Sequence, residues 1–322
     1  MRQFAKPTIV VSKCLEFDAC RYNGEMIPDV TIRNLQPFVT FIPVCPEVEI
    51  GLGTPRETIR IVEENGENRL VQPSTREDVT EKMEQFSNDF LQTISDVDGF
   101  ILKNRSPSCG TRDVKIYSGF EKAPAKGKGS GLFGGAVVKK FSHLPIEEEG
   151  RLSNFIIREH FFTRLFTIAY YKMIKHNKNM KDLVSFQSDN KYLFMAYNQV
   201  KQKELGRIIA NHKNEKIEVV FENYEKTLYE LFMRTSRYTS NVNVCEHIFG
   251  YFKTKLKKQE KDHFIELLQK YAEKKIPLSS LLTILKSWAI RFDEKYLLRQ
   301  TYFEPYPEAL VEISDSGKGR DY

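Results

Sequence analysis

The hydrophobic pattern of this chain changes near residue 150, and this change limits the folds that the chain can adopt. Before residue 150, short apolar runs end in Gly, Pro or Ser, which is typical of buried strands. These runs are Thr8–Ser12, Phe38–Val44, Thr58–Val62 and Gly99–Lys103. Residues Arg76–Ser95 have helical spacing and would connect two of the strands. This alternation predicts an α/β domain with a mostly parallel sheet.

Beyond Ile146 the apolar residues recur at helical spacing almost throughout, which predicts an all-α second domain. We predict one domain at 1–148 and another at 149–322, with a linker at Glu147–Gly150. The predicted helices of the second domain are Asn154–His176, Lys181–Tyr197, Gln199–Asn211, Lys216–Ser236, Val242–Lys257, Lys261–Glu273, Pro277–Ser287 and Glu294–Thr301.

Length and composition exclude several classes of protein. The chain has 322 residues, of which 41% are hydrophobic and 29% are charged, so it is not a disordered protein. It contains no apolar run near the ~18 residues that a membrane-spanning helix needs. The first residues lack the apolar segment and the small-residue cleavage site of a signal peptide. We therefore expect a cytoplasmic protein without a membrane partner.

The net charge of +6 is distributed unevenly along the chain. Residues 1–150 contain 19 basic and 22 acidic residues, whereas residues 151–322 contain 30 basic and 21 acidic ones. The basic half favours a polyanionic partner such as RNA, whose phosphates bind Lys and whose bases stack on aromatic rings. The candidate RNA-binding residues are Lys172, Lys175, Lys253, Lys255 and Lys257, with Tyr170, Tyr171, Tyr251 and Phe252 beside them. The alternative is a solvated helix face, which is what most charge runs are.

Three of the five cysteines share one position in the predicted sheet, because each follows the end of an apolar run. Cys14, Cys45 and Cys109 should therefore converge, since ligands bind outside the carboxyl ends of parallel strands. Convergent thiolates bind zinc or an iron–sulfur cluster. The alternative is that these cysteines are small core residues, because free cysteine is commonly buried. An odd number of cysteines in a reducing compartment does not predict disulfides.

Several motifs follow one another along the chain. In the first half they read Ser12-Lys-Cys-Leu15, Cys20-Arg-Tyr-Asn-Gly24, Phe41-Ile-Pro-Val-Cys-Pro-Glu47, Gly51-Leu-Gly-Thr-Pro-Arg56 and Leu102-Lys-Asn-Arg-Ser-Pro-Ser-Cys-Gly110. Together they resemble the 2-thiouracil desulfidase family over residues 7–142. The second half is similar to a helical domain of once-unknown function, through Ser188–Ala196, Asn243–Lys253 and Tyr296–Pro307. The fused architecture resembles the bacterial tRNA 4-thiouridine desulfidases.

The resemblance implies a [4Fe–4S] cluster held by three cysteines, with the fourth iron open to a sulfur atom of the substrate. By motif, the three ligands correspond to Cys14, Cys45 and Cys109. Cys20 also matches a family motif, and its role stays open between a fourth ligand and a neighbour of the cluster. The implied reaction converts 4-thiouridine in tRNA to uridine and releases sulfide without a redox change. DNA is not an expected partner.

Cleavage of a carbon–sulfur bond by water needs a group that moves a proton. An open iron would act as a thiophilic Lewis acid and draw electron density from the carbon that carries the sulfur. Glu47 is the candidate that activates the water, and Ser106 or Ser108 would orient it or stabilise developing charge. The alternative for Glu47 is an ion pair with Arg56 or Arg105.

Two weaker signals have structural interpretations. The glycine-rich segment Gly127–Gly135 matches no phosphate-binding motif, so we interpret it as a loop whose glycines allow either close backbone approach or mobility. The alternative is that Lys126 and Lys128, at the start of this segment, contact RNA phosphate. Cys245 and His247 lie on a predicted apolar helix without metal-ligand spacing, so we expect both in the core.

Two other functions remain compatible with the sequence. The chain could desulfurate free thiouracil-type bases, with the helical domain serving only dimerisation. It could also be a non-catalytic RNA-binding protein with a structural zinc or iron–sulfur site. The colour of the protein purified without air would separate these classes, because an iron–sulfur protein is brown and a zinc protein is colourless.

Overall fold

The computed structural model describes residues 2–94, 96–120 and 124–312. The chain divides into two compact units. The α/β unit contains the residues up to Ala169 and those from Ala309 onward, and the helical unit is Tyr170–Glu308. This division falls inside one long helix, Phe155–Asn177, and the domain boundary between residues 148 and 149 stays a prediction.

The described part of the α/β unit contains nine strands and six helices. In chain order, strands β1 to β9 are Thr8–Ser12, Thr40–Val44, Arg60–Glu64, Glu67–Gln72, Glu77–Asp78, Gly99–Leu102, Val114–Tyr117, Ala125–Gly129 and Ile146–Glu148. Helices α1 to α6 are Val30–Leu35, Pro46–Glu49, Thr80–Thr93, Leu132–Phe141, Glu149–Leu152 and Phe155–Asn177, the last of which continues into the helical unit.

Strands β2, β1, β6 and β9 form, in that order, a fully parallel sheet. Its central strands are buried on both faces: Val10 of β1 and Phe100 of β6 are register partners, and neither is exposed to solvent. A strand covered on both faces needs a continuous apolar run, which explains why the sequence predicts these strands. The predicted α/β region with a mostly parallel sheet, followed by a largely helical region, is confirmed.

The sequence does not predict the second sheet, whose five strands have the order β5-β4-β3-β7-β8. Among its described pairs, β3 with β7 is parallel and the others are antiparallel. The strand predicted at Thr58–Val62 is β3 of this sheet, so its placement in the parallel sheet is wrong. Strand β8, Ala125–Gly129, has no apolar run. Backbone pairing with β7 holds it in the sheet, and such pairing produces no hydrophobic pattern from which the strand could be predicted.

The linker predicted at Glu147–Gly150 is also wrong. Strand β9 ends at Glu148 and extends the parallel sheet beside β6, and α5 begins directly at Glu149. Glu148 and Glu149 are buried and accept hydrogen bonds from backbone N–H groups. A run of charges in the sequence therefore does not by itself indicate a solvated connection, because carboxylates can have partners inside the protein.

The helix predicted at Arg76–Ser95 is α3, which starts later because Glu77–Asp78 pairs with β4. Ser95 lies outside the described residues, as do residues 313–322 at the carboxyl terminus. Helix α3 packs with α4 on the α/β unit, and Phe86 contacts Phe133 between them. The sequence thus predicts this helix correctly but places its start too early.

The helical unit adds α7 to α14, which are Met180–Asp189, Lys191–Tyr197, Gln199–Ala210, Ile217–Leu231, Tyr238–Gly250, Lys258–Ala272, Leu278–Arg291 and Lys295–Leu298. Its core is rich in buried aromatic side chains such as Phe186, Tyr224 and Trp288. The helix predicted at Lys181–Tyr197 is two helices, because the backbone of Asn190 (φ −98°, ψ 4°) ends α7. Among the described helices, none combines the length and apolar character needed to cross a membrane.

Candidate functional site

Three cysteines follow three neighbouring strands of the parallel sheet. Cys14 lies two residues beyond β1, Cys45 comes directly after β2, and Cys109 lies in the loop after β6. Because the strands are parallel and β1 lies between β2 and β6, their carboxyl ends meet at one edge. The structure therefore brings together the three cysteines that the sequence singled out.

These three cysteines and Cys20 line one cavity of about 350 Å³ in the α/β unit. All four are free thiols; Cys14 is partly exposed and the other three are buried. The Cys45 thiol donates a hydrogen bond to the carbonyl oxygen of Cys20 at 3.8 Å. Cys20 is thus a direct neighbour of one of the three candidate ligands.

Burial makes two of these thiols, those of Cys14 and Cys109, weaker acids than a free cysteine. It raises the pKa of Cys14 to about 12, with a further contribution from the neighbouring Cys45, and it also raises the pKa of Cys109. The thiols therefore keep their protons unless a positive centre stabilises the thiolates. Sulfur donors in a shielded cavity suit zinc or an iron–sulfur cluster and do not suit magnesium or calcium. In the described part of the chain, no three His, Cys, Asp or Glu side chains gather closely enough to hold a single metal ion.

Glu47 lies in the first turn of α2, lines the same cavity and contacts two serines. Its Oε1 accepts a hydrogen bond from the Ser108 hydroxyl at 2.6 Å and a longer one from Ser106 at 3.5 Å. The two hydroxyl oxygens are 2.9 Å apart. The Ser108 hydroxyl also lies 3.7 Å from the sulfur of Cys109. The carboxylate, the hydroxyls and a candidate ligand thus belong to one hydrogen-bonded chain.

The other oxygen of Glu47 is held by Arg56. Arg56 Nε and Nη2 donate to Oε2 at 2.9 and 2.5 Å, and the arginine side chain is 4% exposed. Its Nη1 donates to the carbonyl oxygens of Cys20 and Gly53. The ion pair that the sequence offered as the alternative role of Glu47 is therefore present. It leaves Oε1 to the serines, so the pairing and a role in proton transfer are compatible.

The Cys109 loop, residues 103–113, carries both serines and is anchored by two buried carboxylates. Glu149 accepts a hydrogen bond from the backbone N–H of Asn104 at 2.7 Å, near the start of the loop. Glu148 accepts from the N–H and the hydroxyl of Thr111 at 2.7 and 3.0 Å, near its end. Sequence reasoning missed these two residues, and the available signal was their position directly after a short apolar run.

Glycines in the segment Gly127–Gly135 allow α4 to pack against the Cys109 loop. A Cβ atom on Gly131 would lie 2.5 Å from the carbonyl oxygen of Ser108, and one on Gly134 would lie 2.4 Å from that of Cys109. Both distances are too short for a side chain, so the close approach requires glycine. The interpretation of this segment as a place of close backbone approach is confirmed, although it forms the end of β8 and the start of α4.

The candidate RNA-binding lysines lie in the helical unit, at the end of α6 and around the end of α11. Lys175 pairs with Glu225 at 2.7 Å, and Lys255 pairs with Glu294. These carboxylates neutralise part of the basic charge. By exposure the set divides into two partly buried residues, Lys172 and Lys175, and three exposed ones, Lys253, Lys255 and Lys257.

Two of the four aromatic candidates cannot stack on bases. Tyr171 and Phe252 are fully buried in the helical core, so this part of the prediction is wrong. Tyr171 lies on the inner face of α6, and Phe252 lies in the turn after α11 with its ring packed against Trp288. Tyr170 and Tyr251 are 38% and 37% exposed, and Tyr251 stacks on Tyr296 with 6.3 Å between ring centroids.

Cys245 and His247, both on α11, have different surroundings. Cys245 is fully buried and its sulfur lies 3.8 Å from the hydroxyl of Tyr302, as expected for a core residue. His247 is exposed, so its predicted core position is wrong. The buried face of this turn of α11 is formed by Val244 and Ile248, and His247 lies outside it.

Known proteins resemble the two parts of the chain separately. The profile of the 2-thiouracil desulfurase family matches residues 9–149, and that of a family described as a protein of unknown function (DUF1722) matches residues 191–307. The uncharacterized protein YbbK of Bacillus subtilis is 36% identical over 118 residues, which are 34% of this chain and 77% of YbbK. The uncharacterized protein YbgA of Escherichia coli is 23% identical over 156 residues, which are 48% of this chain and 92% of YbgA.

One solved structure is also similar to this chain. It is that of the [4Fe-4S]-dependent thiouracil desulfidase TudS, which is 25% identical in sequence with a TM-score of 0.36. The match covers 46% of this chain and 93% of TudS.

Proposed function

The chain belongs, through residues 9–149, to the 2-thiouracil desulfurase family, and we propose that it replaces the sulfur of a thiolated pyrimidine by oxygen. The observation that carries this proposal is that three strand-end thiols and the hydrogen-bonded pair of Glu47 and Ser108 share one cavity. Hydrolysis at a carbon–sulfur bond needs a group that binds sulfur and a group that moves a proton. Here both kinds of group are neighbours.

We propose that Cys14, Cys45 and Cys109 hold a [4Fe–4S] cluster. Three protein ligands would leave one of the four irons open, whereas such clusters commonly have four cysteine ligands. When bound, the cluster would supply a thiophilic Lewis acid for the substrate's sulfur. The donor set supports this assignment, since all of the candidates are soft thiols, and burial keeps Cys14 and Cys109 protonated without a positive partner. Cys20 stays outside the ligand set in this proposal.

The proton transfers are assigned to residues of the chain. Water attacks the carbon that bears the sulfur, so a carbon–oxygen bond forms, the carbon–sulfur bond breaks, and no oxidation state changes. Glu47 accepts the water's proton at Oε1, and Ser108, 2.6 Å away, relays a proton towards the departing sulfide. Ser106 contacts both groups and holds them in place. Arg56 fixes the orientation of the carboxylate through Oε2.

We propose 4-thiouridine in tRNA as the substrate. The support is the basic composition of residues 151–322 and the exposed lysines and Tyr251 around the end of α11. Phosphates would bind the lysines, and an unpaired base would stack on the tyrosine. A base must leave its stack to reach an enclosed site, so the helical unit would bind the RNA while the α/β unit acts on one extruded base.

Free thiouracil-type bases are the second candidate substrates. The volume of the cysteine cavity, about 350 Å³, lies in the range of sites for small molecules, and a free base needs no RNA surface. A non-catalytic RNA-binding protein with a structural metal site is less favoured, because a structural metal does not need a carboxylate and a hydroxyl beside it.

Anaerobic incubation of the cluster-loaded protein with 4-thiouridine-containing tRNA, and separately with free 4-thiouracil, tests these alternatives. Sulfide release and loss of the modified nucleoside are measured. We expect turnover of the tRNA, and no turnover by the Cys109→Ala variant run in parallel. Sulfide from the free base alone would retain the desulfidase and exclude tRNA as substrate. No sulfide from either substrate would refute the proposed activity.

A further inference from the structure

A second cavity, of about 450 Å³, adjoins the cysteine cavity within the α/β unit. Both cavities are lined by the same four residues, so these form a shared wall: Thr58, Ile59, Arg105 and Pro107. The other lining residues of the second cavity come largely from β3, β7 and β8 of the second sheet. We call this second cavity the basic groove. It is not part of the site described above.

The charges that line the basic groove are strongly unbalanced. They are the four cations and the one carboxylate of Arg60, Arg105, Lys115, Lys128 and Asp113. Asp113 pairs with Lys128 at 3.0 Å and also interacts with the charge of Arg105. The lining thus carries one carboxylate against four cations, and a concave surface concentrates their potential. The groove therefore attracts an anion.

Two of these cations lie opposite each other on neighbouring strands. Lys115 of β7 is the register partner of Lys128 in the antiparallel strand β8, and like charges at such positions destabilise a sheet. Lys126, two residues earlier on β8, is neutralised by Glu63. By contrast, Lys115 has no ion-pair partner in the described part of the chain. An anion bound between Lys115 and Lys128 would remove their repulsion.

Two arginines complete the groove. The guanidinium of Arg60 lies 4.9 Å from the ring centroid of Tyr117, and such stacking orients the planar donor group. A guanidinium held in this way can bind two oxygens of one phosphate. Arg105, in the shared wall, has a φ of 55°, a conformation that residues other than glycine seldom adopt and that recurs at ligand sites.

We propose that the basic groove binds a phosphate group of the nucleotide whose thiolated base enters the cysteine cavity. The shared wall places an anion site beside a base site, which is the arrangement that a base and a phosphate joined through one ribose require. The inference rests on the proposed function for the identity of the base, and on the groove itself for the phosphate. The phosphate belongs either to a mononucleotide or to a strand of RNA.

Binding measurements with the double variant Lys115→Gln/Lys128→Gln test this inference. Uridine, uridine 5′-monophosphate and a short oligouridylate are titrated into the cluster-loaded full-length protein without air, by calorimetry. We expect the variant to lose affinity for the phosphate-bearing probes by about 10-fold or more and to bind uridine unchanged, since two charged hydrogen-bond donors are removed. The matched control is Lys6→Gln/Lys139→Gln, which removes two exposed lysines that line neither cavity.

Each result decides a separate point. Loss of affinity for the oligouridylate alone assigns the groove to a phosphodiester of a strand, and loss for the monophosphate as well shows that one nucleotide suffices. Unchanged affinity for both, or an equal loss in the control variant, overturns the inference. These outcomes do not depend on sulfide release, so a protein that binds phosphate here and releases no sulfide would refute the proposed function and leave the groove assignment standing.

Discussion

Each unit of the molecule contains a free cysteine whose pKa is raised to about 12 by burial: Cys14 in the α/β unit and Cys245 in the helical unit. Their surroundings differ. Cys14 shares a cavity with three other thiols and a carboxylate, whereas Cys245 is packed in an apolar core beside the hydroxyl of Tyr302. A shifted pKa therefore does not distinguish a functional thiol from a packed one, and the convergence of several donors on one open space does.

The carboxylates of the two units differ in the same way. In the α/β unit, Glu148 is 3% exposed and accepts hydrogen bonds from the backbone of the Cys109 loop. In the helical unit, Glu225 pairs with a lysine side chain that is 37% exposed. The first arrangement fixes a loop in one position, while the second contributes little to stability because water screens it. We expect substitutions in the α/β unit to have larger effects, and the following experiments test this.

The largest effect is expected from the cysteines. Replacing Cys14, Cys45 or Cys109 with Ala should abolish cluster content and turnover together, because each thiol is one of three ligands in our proposal. Replacing Cys245 with Ala, the matched buried thiol of the helical unit, should leave both unchanged apart from a loss of stability. Iron and sulfide content and the visible absorbance of protein purified without air measure the outcome.

The same experiment assigns Cys20. If three ligands suffice, Cys20→Ala retains the cluster, and loss of the cluster in this variant would place Cys20 in the ligand set. Full cluster content after replacement of any one of the three proposed ligands would remove that residue from the set. A cluster that disappears with Cys245 would contradict the distinction between the two units.

A smaller effect is expected from the carboxylate of the cavity. Glu47→Gln should retain the cluster and lower kcat by about 10²- to 10⁴-fold, since the amide can accept the Ser108 hydrogen bond but cannot take a proton. Single-turnover sulfide release at saturating substrate measures this. Glu225→Gln in the helical unit is the control with unchanged kcat. Wild-type turnover in Glu47→Gln would exclude Glu47 as the base and leave its ion pair with Arg56 as its function.

The anchoring carboxylate has an intermediate effect on stability. Glu148→Ala leaves the N–H groups of Thr111 and Arg112 without their acceptor, which should lower the free energy of unfolding by about 1–3 kcal/mol. Glu225→Ala should lower it by about 1 kcal/mol or less, as is usual for exposed ion pairs. Denaturant unfolding of both variants gives the comparison. Equal losses would mean that Glu148 does not fix the Cys109 loop.

The sequence predicts the convergence of the cysteines better than it predicts the rest of the α/β unit, for a physical reason. The central parallel strands need continuous apolar runs, and the parallel rule then brings residues such as Cys14 and Cys45 to one edge. In the second sheet, by contrast, the exposed strand Ala125–Gly129 has no apolar pattern that predicts it, and backbone pairing with β7 holds it in place. Glu148 looks like part of a solvated linker until its backbone partners are known.

Within the helical unit, predictions from the sequence failed where they depended on a break between two helices or on the direction of individual side chains. Helical spacing predicted most helices but not the break at Asn190, where the chain leaves the helix within a continuous apolar pattern. Tyr171 and Phe252 are neighbours of candidate lysines in the sequence, but both rings are buried, because consecutive residues on α6 and in the turn after α11 point in different directions. A surface patch on helices therefore has to be assigned from three- and four-residue spacing.

The smallest effect is expected from the lysines around the end of α11. Reversing the charge of three lysines, in the variant Lys253→Glu/Lys255→Glu/Lys257→Glu, should weaken tRNA binding by about 10-fold. The salt dependence of binding should also fall, because fewer phosphates are contacted and fewer counterions are released on binding. Lys255 contributes least, since Glu294 already neutralises it. Turnover of free 4-thiouracil should not change, as these residues do not line the cysteine cavity.

The matched control reverses three exposed lysines elsewhere in the helical unit, Lys203, Lys213 and Lys226. Fluorescence anisotropy of labelled tRNA across a salt series measures both triple variants. A loss confined to the first variant assigns the RNA surface to the end of α11, while equal losses mean that RNA responds to the net charge of the unit and not to one surface. Unchanged affinity in both variants would assign RNA binding to the α/β unit, where the basic groove is the remaining candidate. The α/β unit would then both bind the RNA and act on the base, and the helical unit would not be the RNA-binding part.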